Sequence, residues 1–367
     1  MALIGIDASR AISTAPTGTE SYSYHLIRAL LPLLGENDSV RLYCREQPAP
    51  QAFPGAELRV IPFPRLWTHV RLSWEMWRDP PRVLFVPAHV LPPICPRRSL
   101  VTIHDLGYRI FPEAHPRSQR LYLETSTRWN ARIASHILAD SIATRQALIA
   151  SYDISPQKIT VVYPGYEADL HRIEDPETLA QAQRRYGLDR PYILFLGRIQ
   201  PRKNLDRLIA AFGNVLKRHP ELLLVLAGPP GWFADSIRAR VQDLRLENHV
   251  VFSGYIALED KAALLSGARF FAFPSLYEGF GFPVLEAQAC GVPVLTASTS
   301  SLPEVAGEGA LLIDPLDTQS IEAGMLRLLE EPTLREALIA RGTSNLSRFS
   351  WEQAAQQVAR ILQQFAD

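Results

Sequence analysis

The sequence predicts an α/β protein built as two doubly wound parallel-sheet domains, and three observations carry that expectation. Short β-rich runs alternate with longer helical patterns over most of the chain. The alternation slackens once, over residues 165–190, which are polar and carry no strand pattern, and restarts at Tyr192. A length of 367 residues exceeds one ordinary domain, while an apolar share of 47% suffices for two cores. Alternation of this kind signals βαβ units, because parallel neighbours need a helical crossover between them.

Taken in order, residues 3–7 read as the first strand, and residues 20–34 as a helix with Leu26, Ile27, Leu30 and Leu34 on one face. Further strands are expected over 40–44, 59–61, 83–86, 100–104, 137–139 and 159–163, with a long helix over 117–134. The second series comprises 192–197, 222–227, 250–253, 270–273, 294–296 and 310–313, again with helices between. Ser350 is placed to cap a last helix running to about residue 365. The boundary is expected between Tyr163 and Pro191. That gives a first domain over 1–170, a second over 171–350, and a last helix, 351–367, packing back on the first. Open α/β sheets bind ligands off the carboxyl ends of their strands, so the two domains are expected to face each other across a ligand-binding cleft.

Composition removes several functions. Thirty-eight basic and 38 acidic side chains cancel; nucleic acid is not an expected partner, since it calls for a concentrated basic surface. Cys44, Cys95 and Cys290 stand far apart, forming neither a disulfide framework nor a metal knuckle, which suits a reducing compartment. The first residues carry no basic leader, and no apolar run approaches the ~20 residues of a membrane span. A cytoplasmic protein is expected, with attachment to a membrane surface left open.

The chemistry concentrates in the second half. Glu278 and Glu286 stand eight residues apart around the glycine-broken turn Gly279-Phe280-Gly281-Phe282 and the start of a helix. A helix N-terminus preceded by glycines attracts anions; one carboxylate beside it suits sugar hydroxyls and the other a ribose diol. Arg198, Arg202 and Lys203 follow the strand at Tyr192. Arg198 is suited to paired hydrogen bonds on phosphate and Lys203 to acting as a mobile point charge, with Asn204 as a cap for the next helix. A solvated basic loop is the plain alternative. In the first half, Gly18 lets the backbone between Pro16 and Glu20 approach an anion, although an ordinary tight turn explains it too, and no G-x-G-x-x-G fingerprint occurs. His104-Asp105 ends a strand where it can reach a sugar or phosphate oxygen, against the alternative of a histidine held by a backbone carbonyl. His89, His115 and His136 lack such a setting and read as structural. No Asp-x-Asp, His-x-x-x-His or cysteine cluster offers a metal site. Trp67, Trp74 and Trp77, interleaved with Arg65, His69, Arg71 and Arg78, suit a membrane surface or an acceptor. Core packing of the tryptophans with snorkelling arginines is the favoured account.

These residues resemble the retaining glycosyltransferases of family 4, whose two-domain architecture is called GT-B. Gly197-Arg198 with Pro201-Arg202-Lys203-Asn204, the run from Glu278 to Ala287, and Cys290-Gly291-Val292-Pro293-Val294 carry the resemblance, strongest over residues 192–315. Gly18, His104-Asp105 and Pro164-Gly165 carry it more weakly in the first half, where a single glycine stands in place of the pair found in many relatives. The resemblance implies that Arg198 and Lys203 hold the donor diphosphate, that Glu278 and the backbone of Gly279, Phe280, Gly281 and Phe282 hold the transferred sugar and phosphate, and that Glu286 binds the ribose. It places His104 near the reacting carbon and the backbone at Tyr255-Ile256 against the base. It also implies a metal-independent enzyme needing no cofactor beyond its nucleotide-sugar substrate. Through residues 300–315 the chain is most like bacterial mannosyltransferases of O-antigen and polysaccharide assembly, so GDP-mannose is the favoured donor and a glycan or lipid-linked hydroxyl the acceptor.

No second carboxylate is evident for a covalent intermediate, so the expected course is same-face substitution, with a departing diphosphate oxygen taking the acceptor proton. The alternatives are a UDP-sugar donor, an inactive nucleotide-sugar-binding protein, and a phosphorylase-like enzyme carrying pyridoxal phosphate. A nicotinamide dehydrogenase is disfavoured by the missing glycine fingerprint.

Overall fold

The computed structural model describes residues 2–12, 18–34 and 38–366. The chain divides into two compact units, one of Met1–Arg109, Arg117–Gly165 and Phe349–Asp367, the other of Ile110–Pro116 and Tyr166–Arg348.

The first unit holds β1 (Leu3–Asp7), β2 (Ser39–Cys44), β3 (Glu57–Val60), β4 (Val83–Val86), β5 (Ser99–Ile103), β6 (His136–Ala139) and β7 (Ile159–Val161), in the sheet order β3-β2-β1-β4-β5-β6-β7. The second holds β8 (Tyr192–Leu196), β9 (Leu223–Ala227), β10 (Val250–Gly254), β11 (Phe271–Phe273), β12 (Val294–Ala297) and β13 (Ala310–Ile313), in the order β10-β9-β8-β11-β12-β13. Every pairing between these strands is parallel. Both sheets are doubly wound, and the order reverses between β1 and β4 and between β8 and β11, where such sheets open a crevice at the strands' carboxyl ends. The strands are apolar because helices cover both faces; β4, β5 and β9 are buried along their whole length.

Strand ends lie within two residues of the sequence reading throughout, the two-residue shifts falling at the start of β3, Glu57, and at the end of β7, Val161. The polar stretch read as strandless contains the helix Pro176–Arg185, opened by proline and capped by Asp175, whose carboxylate accepts from the Thr178 amide at 2.9 Å. The last helix, Trp351–Ala366, begins with the Gln353 amide donating to Ser350 Oγ at 3.1 Å. It packs within the first unit against the helix Gly18–Leu34, with Trp351 stacked on His25 at 5.4 Å and edge-on to Tyr22 at 5.8 Å. Arg98 and Arg82 anchor its far end by donating to the carbonyls of Phe365 and Ala366. The segment Ile110–Pro116 lies with the second unit, where the Phe111 ring meets Tyr277 at 6.5 Å; nothing in its pattern foretold that.

Core packing accounts for Trp67 alone among the three tryptophans: its ring is 6% exposed and its indole N–H donates to the Ile61 carbonyl at 2.9 Å. Trp74 and Trp77 are 51% and 65% exposed, which corrects the expectation that all three pack inside. Residues 67–78 form one continuous helical stretch, and Leu66, Val70, Trp74 and Trp77 recur along it at spacings of three and four residues. They are one helix face left in solvent. No helix among the described residues is long and apolar enough to cross a membrane.

Candidate active site: two carboxylate–cation clusters

In the second unit, residues after β8 meet residues after β11, the two strands that flank the reversal of order. Lys203 donates to Glu278 Oε1 at 2.6 Å and Arg202 to Glu278 Oε2 at 3.1 Å, with all three side chains no more than 13% exposed. Lys203 also lies over the Phe273 ring at 4.7 Å. The ammonium is therefore fixed, not the mobile charge that sequence reasoning expected. Burial pushes the Glu278 carboxyl up, but Arg202 and then Lys203 outweigh it and hold the group below its ordinary range. Two cations against one carboxylate leave this cluster net positive.

The turn around it is pinned by hydroxyls. The Glu278 amide donates to Ser300 Oγ at 3.0 Å, and the fully buried Ser301 donates to the carbonyls of Glu278 at 2.9 Å and Phe280 at 2.7 Å. Gly281 takes φ 115° just before the helix Phe282–Ala289, a conformation that favours glycine. Phe280 and Phe282 meet edge to face at 5.1 Å. Glu286 is thus the fifth residue of the helix, about one turn in.

Asn204 stands at the N-cap position with φ 60°, but its side chain makes no capping bond. Its amide donates instead to the carbonyls of Pro274 at 3.1 Å and Pro315 at 2.6 Å. The expected cap is in fact a tie between two loops, because the left-handed backbone turns the side chain away from the helix amides.

Glu286 forms a second cluster. Lys261, from the helix Leu258–Ser266, bonds Glu286 at 2.7 Å and Glu167 at 3.2 Å. Burial raises the Glu286 carboxyl; Lys261 opposes that and Glu167 adds to it, and the net shift is upward. Burial would lower Lys261, but Glu286 and Glu167 overcome it and raise the ammonium. The carboxyls of Glu278 and Glu286 are therefore shifted in opposite directions.

Arg198 is exposed and makes no ion pair or side-chain hydrogen bond among the described residues. Its loop is held where β8 and β9 end. Gly197 donates to the Ala227 carbonyl at 2.9 Å, Gly228 donates to the Gly254 carbonyl at 2.7 Å, and a Cβ on Gly228 would lie 2.1 Å from the Gly197 carbonyl oxygen. Tyr255, just beyond β10, is 56% exposed.

The remaining residues singled out from the sequence belong to the first unit. Gly18 is the exposed first residue of the helix Gly18–Leu34; Pro16 and Thr17 lie outside the described residues. The His104 ring bonds Asp140 through Nδ1 at 2.6 Å and the Pro87 carbonyl through Nε2 at 2.9 Å, with Tyr22 edge-on at 4.8 Å. The Pro87 carbonyl only accepts, so Nε2 donates to it, while Nδ1 shares its hydrogen bond with a carboxyl that burial pushes up and His104 draws down. Burial would lower the ring's pKa, but Asp140 dominates and raises it. His89 nearby is driven the other way, by burial and then by His104, to about 4.

Sequence reasoning missed Arg202 as a partner of Glu278, and also Lys261, Glu167, Asp140, Ser300 and Ser301. Among the described residues no group of three or more His, Cys, Asp or Glu side chains is arranged to hold a metal.

Comparison with known proteins supplies the class. The family model for glycosyl transferases group 1 matches residues 178–345, and the model for glycosyltransferase family 4 matches residues 16–170. The chain is 34% identical over 264 residues to the O-antigen chain mannosyltransferase B of Escherichia coli, covering 71% of this chain and 68% of that protein. It is 33% identical over 239 residues to the D-inositol 3-phosphate glycosyltransferase of Frankia alni, covering 62% of this chain and 58% of the relative. The crystal structure of HepE from Anabaena in complex with UDP and glucose superimposes with a TM-score of 0.75 over 99% of both chains at 19% identity, a likeness that shows the fold. Two doubly wound parallel-sheet domains of this kind are the GT-B fold, and the protein is a glycosyltransferase. Within that class, the chain belongs to glycosyltransferase family 4.

Proposed function

We propose that the enzyme transfers mannose from GDP-mannose to a hydroxyl of a glycan or lipid-linked acceptor, with retention at the anomeric carbon and without a metal. The observation that carries this is the net-positive Lys203–Glu278–Arg202 cluster at the carboxyl ends of β8 and β11, together with the free guanidinium of Arg198. Arg198 and Lys203 take the diphosphate oxygens, where Lys203 is shared between Glu278 and phosphate. Glu278, kept ionised, accepts from sugar hydroxyls, helped by the amides of the turn from Gly279 to Phe282. Glu286, oriented by Lys261, accepts from the ribose diol, and Tyr255 lies beside the base.

The carbon–oxygen bond to the diphosphate breaks, a diphosphate oxygen takes the acceptor's proton, and the new glycosidic bond forms on the same face. Arg198 and Lys203 stabilise the developing charge in the part otherwise played by a metal. His104, with both ring nitrogens engaged, acts by its position and not as a proton acceptor. Similarity to the E. coli O-antigen mannosyltransferase supports the choice of sugar.

A thermal-shift screen of nucleotide sugars tests the donor, since a selective ligand raises the melting temperature. GDP-mannose is expected to give the largest shift. A uridine-linked sugar that stabilises the protein while GDP-mannose fails would replace the donor. Stabilisation with neither transfer nor donor hydrolysis would mark a binding protein.

Contact with a membrane surface belongs to the same proposal, supported by the exposed stripe Leu66, Val70, Trp74 and Trp77 beside Arg65 and Arg78. The protein is expected to sediment with vesicles containing phosphatidylglycerol, and Trp74→Ser with Trp77→Ser to weaken that binding at least about tenfold, as the loss of two buried aromatic rings requires. Equal sedimentation of the double variant removes this face from the proposal.

A further inference from the structure

One buried acid has no part in the proposed transfer. Asp140 lies in the first unit and is 3% exposed. A carboxyl withdrawn from water that far needs a partner to compensate it. Strand register supplies the partner. Ile103, the last residue of β5, pairs with Ala139, the last residue of β6. The chain therefore leaves the two strands as His104 on one side and Asp140 on the other, and Asp140 Oδ2 meets Nδ1 of the ring at 2.6 Å.

The same turn holds the main chain of His104. Ser141 Oγ accepts from the Thr144 amide at 3.0 Å and caps the helix Ile142–Tyr152, and Thr144 Oγ1 donates to the His104 carbonyl at 3.2 Å. With Nε2 on the Pro87 carbonyl, the ring has one acceptable orientation. A half turn about its Cβ–Cγ bond would set C–H groups against both oxygens. Asp140 itself is left incomplete, because its Oδ1 is buried and has no hydrogen-bond partner among the described residues. An unmet buried oxygen typically costs ~1–3 kcal/mol, and a side chain that served packing alone would avoid it. Asp105 acts on the ring in the same sense as Asp140, and His89 and Tyr22 are the other titratable groups beside it.

We propose that Asp140 is a positioning residue for the transfer, holding the His104 ring in one orientation and keeping a proton between Nδ1 and its own Oδ2. It acts through His104 and touches no substrate. The inference rests on the proposed function for the place of His104 beside the transferred sugar, and it adds what fixes that ring.

The test uses the full chain labelled with 15N in its histidines, the His104 signals being those lost in His104→Gln. In the native chain the ring is expected to titrate above the ordinary histidine value. In Asp140→Asn it is expected to titrate at least about one pH unit lower, because burial remains while the largest opposing influence is gone. Turnover of GDP-mannose is measured on the same variants. Asp140→Asn is expected to lower kcat at least about tenfold in the native chain, the scale of one charge-assisted hydrogen bond. In the His104→Gln background the same change is expected to cost less than about twofold, since a residue that acts only through another has nothing left to act on. Asp140→Glu, which keeps the charge, is expected to recover part of the loss. Asp140→Ser is the second variant should Asp140→Asn fold poorly. A His104 titration unmoved by Asp140→Asn and Asp140→Ser, or equal losses of turnover with and without His104, would overturn the inference alone. Full turnover in His104→Gln sinks the reading of His104 beneath it. Absence of turnover with GDP-mannose in the native chain counts against the proposed donor, and the titration then decides the inference.

Discussion

Arg198→Ala is expected to lower turnover at least about a hundredfold and to leave the melting temperature unchanged, whereas Lys203→Ala is expected to lower both. The losses in turnover share one origin. Each cation is proposed to meet charge that grows on the departing diphosphate, and removing one preorganised partner of that kind typically costs ~3–4 kcal/mol of barrier. The stability effects diverge because the settings diverge. Arg198 is exposed and bonds no other described side chain, so nothing in the fold misses it. Lys203 is 10% exposed and bonded to a carboxylate that is 9% exposed. Breaking a buried pair by removing one partner typically costs ~3–5 kcal/mol, and because Arg202 still holds Glu278 the lower end of that range applies. About 3 kcal/mol corresponds to roughly 6–12 °C for a domain of this size. Steady-state kinetics and calorimetry on the two variants check both parts. Normal turnover in both refutes the catalytic roles, and an unchanged melting temperature in Lys203→Ala refutes the energetic weight of the ion pair.

Gly228→Ala is expected to destabilise the second unit by about 3 kcal/mol or more and to abolish nucleotide binding with it. Gly228 has φ 134°, and an added Cβ would fall 2.1 Å from the Gly197 carbonyl oxygen, a backbone atom that no rotamer change can move. The strained backbone alone costs ~1–3 kcal/mol. Relieving the clash separates the ends of β8 and β9, where the amides of Gly197 and Gly228 make their bonds. Arg198 is carried on that junction, so the diphosphate groups lose their positions at the same time. Gly187→Ala is the control: its φ is 68°, but a Cβ there meets no atom within 4 Å, so it carries only the backbone strain. Circular dichroism melting of the two variants decides the matter, and equal losses in both would show that the contact with Gly197 carries no weight.

Legibility in the sequence tracked the range of the interactions. Strands such as β8 and β9 announce themselves through continuous apolar runs bounded by glycine, and turn residues placed Glu278 and Glu286 around a helix start; both are local signals. The partners of those carboxylates were not legible. Lys203 is 75 positions from Glu278 and Lys261 is 94 from Glu167, so no window of sequence contains either pair. Lys261 did leave a trace, as a lone cation at the start of the apolar run Ala262-Ala263-Leu264-Leu265, the position of a buried charge waiting for a partner. Asn204 misled because cap preference assumes an extended backbone, whereas here φ is 60°. Trp74 and Trp77 misled because aromatic side chains favour burial on average, and a face kept outside for a partner has the same composition as one kept inside for a core.

The helix Trp351–Ala366 has a bearing on biosynthesis. Its docking on the helix Gly18–Leu34 means that the amino-terminal unit is assembled from residues lying on both sides of the other unit. A ribosome emitting this chain releases everything from Tyr166 to Arg348 before the segment Phe349–Asp367 emerges. The half that is translated later is therefore the one able to mature earlier, and the half translated first must wait, with one flank uncovered, until the segment after Arg348 has emerged.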